Sequence, residues 1–245
     1  MEELKKAPVT VLLILANILV FTAVEFTGGS EDTMHMLQCG AAYTPAIMQG
    51  EYYRIFTSMF LHFGPQHLGN NMLVLFVLGG RLERTVGKLK YLLIYLLGGM
   101  GGNLLCLFLE LDSADFAVSA GASGAVFAVM GAMIYAVIRG RGHIEDLSAR
   151  QVVIMAAFSL YFGFTSEGVD NAAHVGGLIC GFLLAVLLYH LRSVQDNRPL
   201  FRGCRQINIK GRTDRECWKP DLTMVCRDDF CCYCKPETGS FRFIM

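Results

Sequence analysis

Six stretches of this chain, residues 7–24, 66–80, 91–109, 116–138, 151–166 and 171–191, contain no Asp, Glu, Lys or Arg. A helix that crosses the hydrocarbon of a bilayer needs about 20 such residues, with a range of roughly 17 to 25. Four of the windows reach that length, while the second and fifth draw on their flanks. With 53% hydrophobic and 17% charged residues and a mean hydropathy of +0.44, the chain is too apolar for an ordinary soluble domain. The pattern predicts an all-α membrane protein, a bundle of six transmembrane helices. The first window is not read as a cleaved signal peptide, because no small-x-small site follows it and further spans do.

The charges between the windows set the expected orientation. Arg81, Arg84, Lys88 and Lys90 outnumber Glu83 in one connection, and Arg139, Arg141 and Arg150 face Glu145 and Asp146 in another. The remaining connections carry Glu25, Glu31, Asp32 and Glu51 with only Arg54, then Glu110, Asp112 and Asp115, then Glu167 and Asp170. Counting Lys and Arg places the first group, Lys5, Lys6 and the Arg-rich tail in the cytoplasm, so both termini are expected there. The formal net charge is zero, which gives no global bias toward nucleic acid.

Residues 1–191 form the expected membrane domain and 192–245 a separate cytoplasmic tail. The connection at about 27–66 is too long for a simple turn. Its end, "EYYRIFTSMFLHFGPQH", reads as short helices at the outer boundary, with Tyr52, Tyr53 and Phe60 as interfacial aromatics. The tail holds eleven Lys or Arg, seven Asp or Glu and six of the nine cysteines. Of these, Cys217, Cys226, Cys231 and Cys234 are candidate zinc ligands, without a clean pair of C-x-x-C knuckles. Reduced thiols are the alternative in a reducing cytosol.

The informative residues are the polar ones in an apolar setting: His67 with Asn70 and Asn71 in the second window, Ser123 in the fourth and His174 in the sixth. Buried imidazole, amide and hydroxyl groups hold helices together or mark a functional site. All three sets lie near the external ends of their windows. At about 1.5 Å per residue, Ser123 sits deeper than His174 when each is counted from its last external acid. The mismatch closes if residues 119–122 are not helical and the helix starts near Ser123.

Gly124, Ala128 and Gly131 make a small-residue stripe on the fourth window, and Gly177 and Gly181 make one on the sixth. Such stripes let two helix backbones approach closely. That contact would bring Ser123 and His174 to one height. A neutral histidine can take the proton of a serine hydroxyl and turn it into a nucleophile. Asn71 and His67, four residues apart on one face, can both aim at a developing oxyanion. Phe127, one turn after Ser123, can hold the imidazole by stacking. No third acidic member of a triad is expected. The soluble-hydrolase elbow does not fit, since Gly-Ala-Ser-Gly-Ala at 121–125 follows no strand signal.

Together "HFGPQHLGNN", "GASG" around Ser123, "AHVGGLICG" around His174 and "LGGRLE" ending at Glu83 resemble the rhomboid family of intramembrane serine proteases, over residues 7–191. The resemblance implies a six-helix bundle with a cavity open to the external side of the membrane. It assigns Ser123 as nucleophile, His174 as general base, and His67, Asn71 and the Ser123 amide as oxyanion donors. Gly121, Gly124, Phe127, Gly177 and Gly181 would support them. It implies substrates that are transmembrane segments of other proteins, and no metal or organic cofactor. Tyr53-Arg54 stands where the family has Trp-Arg, and Phe127 where it commonly has Tyr. The compact chain suggests a bacterial plasma membrane. A transporter would instead place its polar groups at mid-depth and repeat its halves; a helix-binding scaffold would not need both Ser123 and His174.

Overall fold

The computed structural model describes residues 6–140, 143–144, 147–165 and 169–193, together with the backbone of five strands between 204 and 242. The chain divides into two compact units, Met1–Arg192 and Ser193–Met245.

Among its described residues the regular structure of the first unit is helical apart from the two-residue strands β1 (His143–Ile144) and β2 (Leu147–Ser148). Helix α1 (Pro8–Thr27) starts on a proline, whose missing N–H costs nothing at a first turn. Three short helices follow in the connection after α1: α2 (Thr33–Gln38), α3 (Thr44–Met48) and α4 (Arg54–Thr57), ending in a 3₁₀ turn at Ser58–Phe60. Asp32 caps α2 by accepting the His35 amide at 2.9 Å. Arg54, only 8% exposed, donates to the Leu37 and Ala41 carbonyls at 2.7 and 2.9 Å and pairs with Glu51. One buried guanidinium thereby fastens the connection that carries the expected short helices. The Tyr53 hydroxyl and Arg54 both donate to Glu51 and hold its carboxyl below the ordinary range.

The next helix runs without interruption through α5 (Gly64–Val74), a π turn at Leu75–Gly79 and α6 (Gly80–Val86). It outlasts the charge-free window 66–80 because Glu83 is not a loop charge. Its carboxylate is 2% exposed and accepts the Val9 and Thr10 amides at 3.0 and 2.8 Å and the Thr10 hydroxyl at 2.8 Å. An anion at the amino end of α1 satisfies first-turn donors that have no partner within their own helix. Replacing Glu83 with Ala strands those donors, and we expect a loss of about 2 to 4 kcal/mol. The unfolding midpoint in detergent checks this, with Glu83→Gln falling between the two.

Helices α7 (Lys88–Ser113), α8 (Ser123–Arg139), α9 (Ala149–Thr165) and α10 (Asn171–Ser193) complete the unit. Every residue of α8 from Gly124 through Met133 is buried, so this helix is the centre of the core. Among the described residues three helices, α1, α7 and residues 171–188 of α10, are long and apolar enough to cross a membrane by length and composition. The fourth window, 116–138, was expected as a full-length span; it yields a helix of 17 residues, because its first residues are drawn into an extended lead-in.

In the second unit β3 (Cys204–Ile209), β4 (Arg212–Lys219), β5 (Leu222–Arg227), β6 (Phe230–Cys234) and β7 (Phe241–Arg242) pair antiparallel in sequence order.

Candidate active site

Ser123 is the first residue of α8, and Ser119, Gly121 and Ala122 before it are each held by a backbone hydrogen bond. Ser119 exchanges two backbone hydrogen bonds with Ala42, at 2.8 and 2.9 Å, and the Gly121 amide donates to the Ser58 carbonyl at 2.9 Å. Gly121 has φ of +153°, a region that L side chains avoid. A Cβ there would fall 2.8 Å from His67 Cε1 and 3.5 Å from the Ser123 hydroxyl. Glycine is required at 121 on both counts, and its bare face brings the His67 ring and the Ser123 oxygen to one spot. Ser123 opens its helix, so its amide belongs to the first-turn donors with no acceptor inside the helix.

His174 lies in the first turn of α10, 7% exposed. Its ring stacks on Phe127 with centroids 4.4 Å apart and planes at 20°. Among the described residues its buried Nδ1 has no hydrogen-bond partner. Stacking and the placement of its backbone therefore orient the imidazole. That placement comes from a seam with α8. A Cβ on Gly177 would lie 2.1 Å from the Gly124 carbonyl oxygen, and one on Gly181 would lie 2.0 Å from that of Ala128. Gly131 meets the Leu178 carbonyl at 2.1 Å in the same construction. The two backbones are in direct contact along the small-residue stripes, and Gly124, next to Ser123, faces the carbonyl of Ala173, next to His174.

The second polar set is split. His67 is half-buried beside Gly121, and Asn71 is 7% exposed, whereas Asn70 is exposed. The Asn71 amide donates to the His67 carbonyl at 3.2 Å, one turn back along its own helix.

Several residues that hold this arrangement carried no weight in the sequence. His62 is 1% exposed; its Nε2 accepts the Ala122 amide at 3.3 Å, and its ring meets that of His67 edge-on at 5.2 Å. Asn103 donates to the Ile55 carbonyl and the Ser58 hydroxyl at 2.8 and 3.0 Å, which ties α7 to the turn that holds Gly121. The run "GGMGG" in α7 was the available signal for a third helix at the seam. A Cβ at Gly102 would lie 2.5 Å from the Ala173 carbonyl, and one at Gly99 would lie 2.9 Å from the Ala125 side chain.

His62 lies outside the long helices, and burial, with a smaller contribution from His67, pushes its pKa down to about 3 from the ordinary 6.5. Between those values the unfolded chain binds a proton that the folded chain refuses. This contribution is complete above pH 6.5 and is lost as pH falls toward 3, at up to about 1.4 kcal/mol per pH unit. We expect the unfolding midpoint to drop less between pH 7 and pH 5 in His62→Gln than in the unaltered protein. Parallel curves would show that His62 is not the group responsible.

The side chains of Cys217, Cys226, Cys231 and Cys234, the candidate zinc ligands, lie outside the described residues. Their backbones place Cys217 opposite Cys204, Cys226 opposite Cys231 and Cys234 opposite Phe241.

The family profile described as Rhomboid domain matches residues 49–191. The chain is 36% identical over 187 residues to rhomboid protease GluP of Bacillus subtilis, covering 75% of this chain and 35% of that protein. It is 35% identical over 192 residues to RHOMBOID-like protein 6, mitochondrial, of Arabidopsis thaliana, covering 77% and 59% respectively. To rhomboid protease AarA of Providencia stuartii it is 32% identical over 200 residues, covering 72% and 71%. The match thus spans about a third of the first of these relatives and more than half of the second.

Proposed function

Because this chain belongs to the rhomboid family, we propose that it is an intramembrane serine endopeptidase that cuts peptide bonds in or near transmembrane segments of other membrane proteins. The observation that carries this reading is the contact of Gly177 with the Gly124 backbone, which joins the two helices beside Ser123 and His174. Ser123 is the nucleophile, and His174 takes its proton and returns it to the leaving amine. The oxyanion is held by the Ser123 amide and His67, with Asn71 joining when its amide turns from the His67 carbonyl. Phe127 keeps the imidazole plane fixed through the proton transfers.

All six long helical segments span the bilayer in this reading, with both termini in the cytoplasm and the site open to the external side of a bacterial plasma membrane. The excess of Lys and Arg in the connections at 81–90 and 139–150 supports that orientation. A peptide bond inside a substrate helix is shielded and hydrogen-bonded, so the substrate unwinds locally before attack. Small or helix-breaking residues near the cut favour this. The test is incubation of the purified protein with a single-span substrate beside Ser123→Ala and His174→Ala, with the cut mapped by mass spectrometry. Cleavage near the external end of the substrate span, absent in both variants, is the expected result. A cut in the cytoplasmic half contradicts the orientation, and undiminished cleavage by either variant contradicts the dyad.

A further inference from the structure

Asp170 is the residue through which the serine-bearing and histidine-bearing segments are joined by side-chain hydrogen bonds. Its Oδ2 accepts the Ser119 hydroxyl at 2.9 Å, and its Oδ1 accepts the Ala173 amide at 2.8 Å. Its own carbonyl accepts the His174 amide at 3.2 Å. One carboxylate thus caps the helix that carries His174 and grips the lead-in to Ser123. Ser119 is in turn pinned to Ala42 by its backbone pair, so Asp170 also ties α10 to the external connection. The Cys106 thiol of α7 also bonds Asp170; among the described residues the amino end of α10 is otherwise placed near Ser123 by packing. Packing fixes the distance between two helices better than it fixes sliding along the seam. A hydrogen bond from the lead-in of one helix to the cap of the other resists that sliding.

We propose that Asp170 is a positioning residue that sets the register of His174 against Ser123 by clamping Ser119, a role that rests on the protease reading above. Nothing else among the described hydrogen bonds holds the imidazole, since its Nδ1 is unpartnered there. The helix start therefore determines where the base sits. A shift of about 1 Å in a catalytic pair can lower the rate by a factor of about 100.

The experiment measures kcat and KM for a transmembrane substrate with Asp170→Ala, Asp170→Asn, Ser119→Ala and the Asp170→Ala/Ser119→Ala double variant. Asparagine keeps a cap acceptor and can still bond the Ser119 hydroxyl. The expected result is a fall in kcat of about 10-fold to 100-fold in Asp170→Ala with KM changed less than about 2-fold. Ser119→Ala falls in the same direction, the double variant is no worse than Asp170→Ala alone, and Asp170→Asn recovers most of the loss. Unchanged kcat in Asp170→Ala, additive losses in the double variant, or a loss in Asp170→Asn as large as in Asp170→Ala would each overturn the clamp. Hydrogen exchange supplies a readout that needs no proteolysis: the amides of Ala42, Ser119, Ala173 and His174 lose protection in Asp170→Ala and keep it in Asp170→Asn. If the unaltered protein cleaves nothing, the protease reading fails by that arm, while exchange still decides the clamp. Unchanged protection of those amides in Asp170→Ala sinks the clamp alone.

Discussion

We expect Ser123→Ala and His174→Ala each to lower cleavage of a single-span substrate by about 10,000-fold or more, leaving a residual rate from binding and oxyanion donors. The two losses do not add in the double variant, because a base without a nucleophile and a nucleophile without a base both leave the acyl transfer undone. The seam beside these residues is the reason to expect coupling of that kind. Both proteins should remain folded, since Ser123 is half-buried at the start of α8 and His174→Ala removes a ring without inserting volume. An unfolding midpoint close to that of the unaltered protein, beside lost cleavage, separates chemistry from stability. A variant that cleaves at more than a hundredth of the normal rate would remove that residue from the reacting pair.

Gly177→Val has the second large effect. The added Cβ would sit 2.1 Å from the Gly124 carbonyl oxygen, and because the obstacle is backbone, no change of rotamer relieves it. The helices must separate or slide. Overpacking of this kind costs about 3 kcal/mol or more, and the displacement of His174 from Ser123 should lower the rate by at least about 100-fold. Gly69→Ala is the control: Gly69 lies in α5 with no atom within 4 Å of an added Cβ. There the substitution should leave stability unchanged or raise it by about 0.5 to 1 kcal/mol, since alanine loses less backbone entropy on entering a helix. Equal unfolding midpoints for Gly177→Val and the unaltered protein would mean that the two backbones are not in contact.

The outcome at α8 shows how far local pattern reaches. The stripe of Gly124, Ala128 and Gly131, its counterpart at Gly177 and Gly181, and the stacking of Phe127 on His174 were all legible, because each depends on residue size repeated at helical spacing. The start of the helix at Ser123 was legible as a condition on depth. Glu83 was not, since a carboxylate among arginines reads as a loop charge until the amides of Val9 and Thr10 are seen to surround it. His62, Asn103 and Asp170 escaped for the same reason. Each acts on a group far along the chain, the Ala122 amide, the Ile55 carbonyl and the Ser119 hydroxyl respectively, and nothing in its immediate neighbours marks which one.

The sequence by itself determined the class of solvent this chain folds in, the helices it forms and the side chains able to react, since apolarity, helical spacing and ionisable chemistry are properties of short segments. Only the folded chain decided that α7 joins the seam at Gly102, that residues 116–118 also leave the helix ahead of Ser123, and which donors Glu83, His62 and Asp170 satisfy. Those outcomes follow from matching donors and surfaces between segments distant in sequence, where a misplacement of about 1 Å leaves a buried polar group unpaired at a cost of about 1 to 3 kcal/mol.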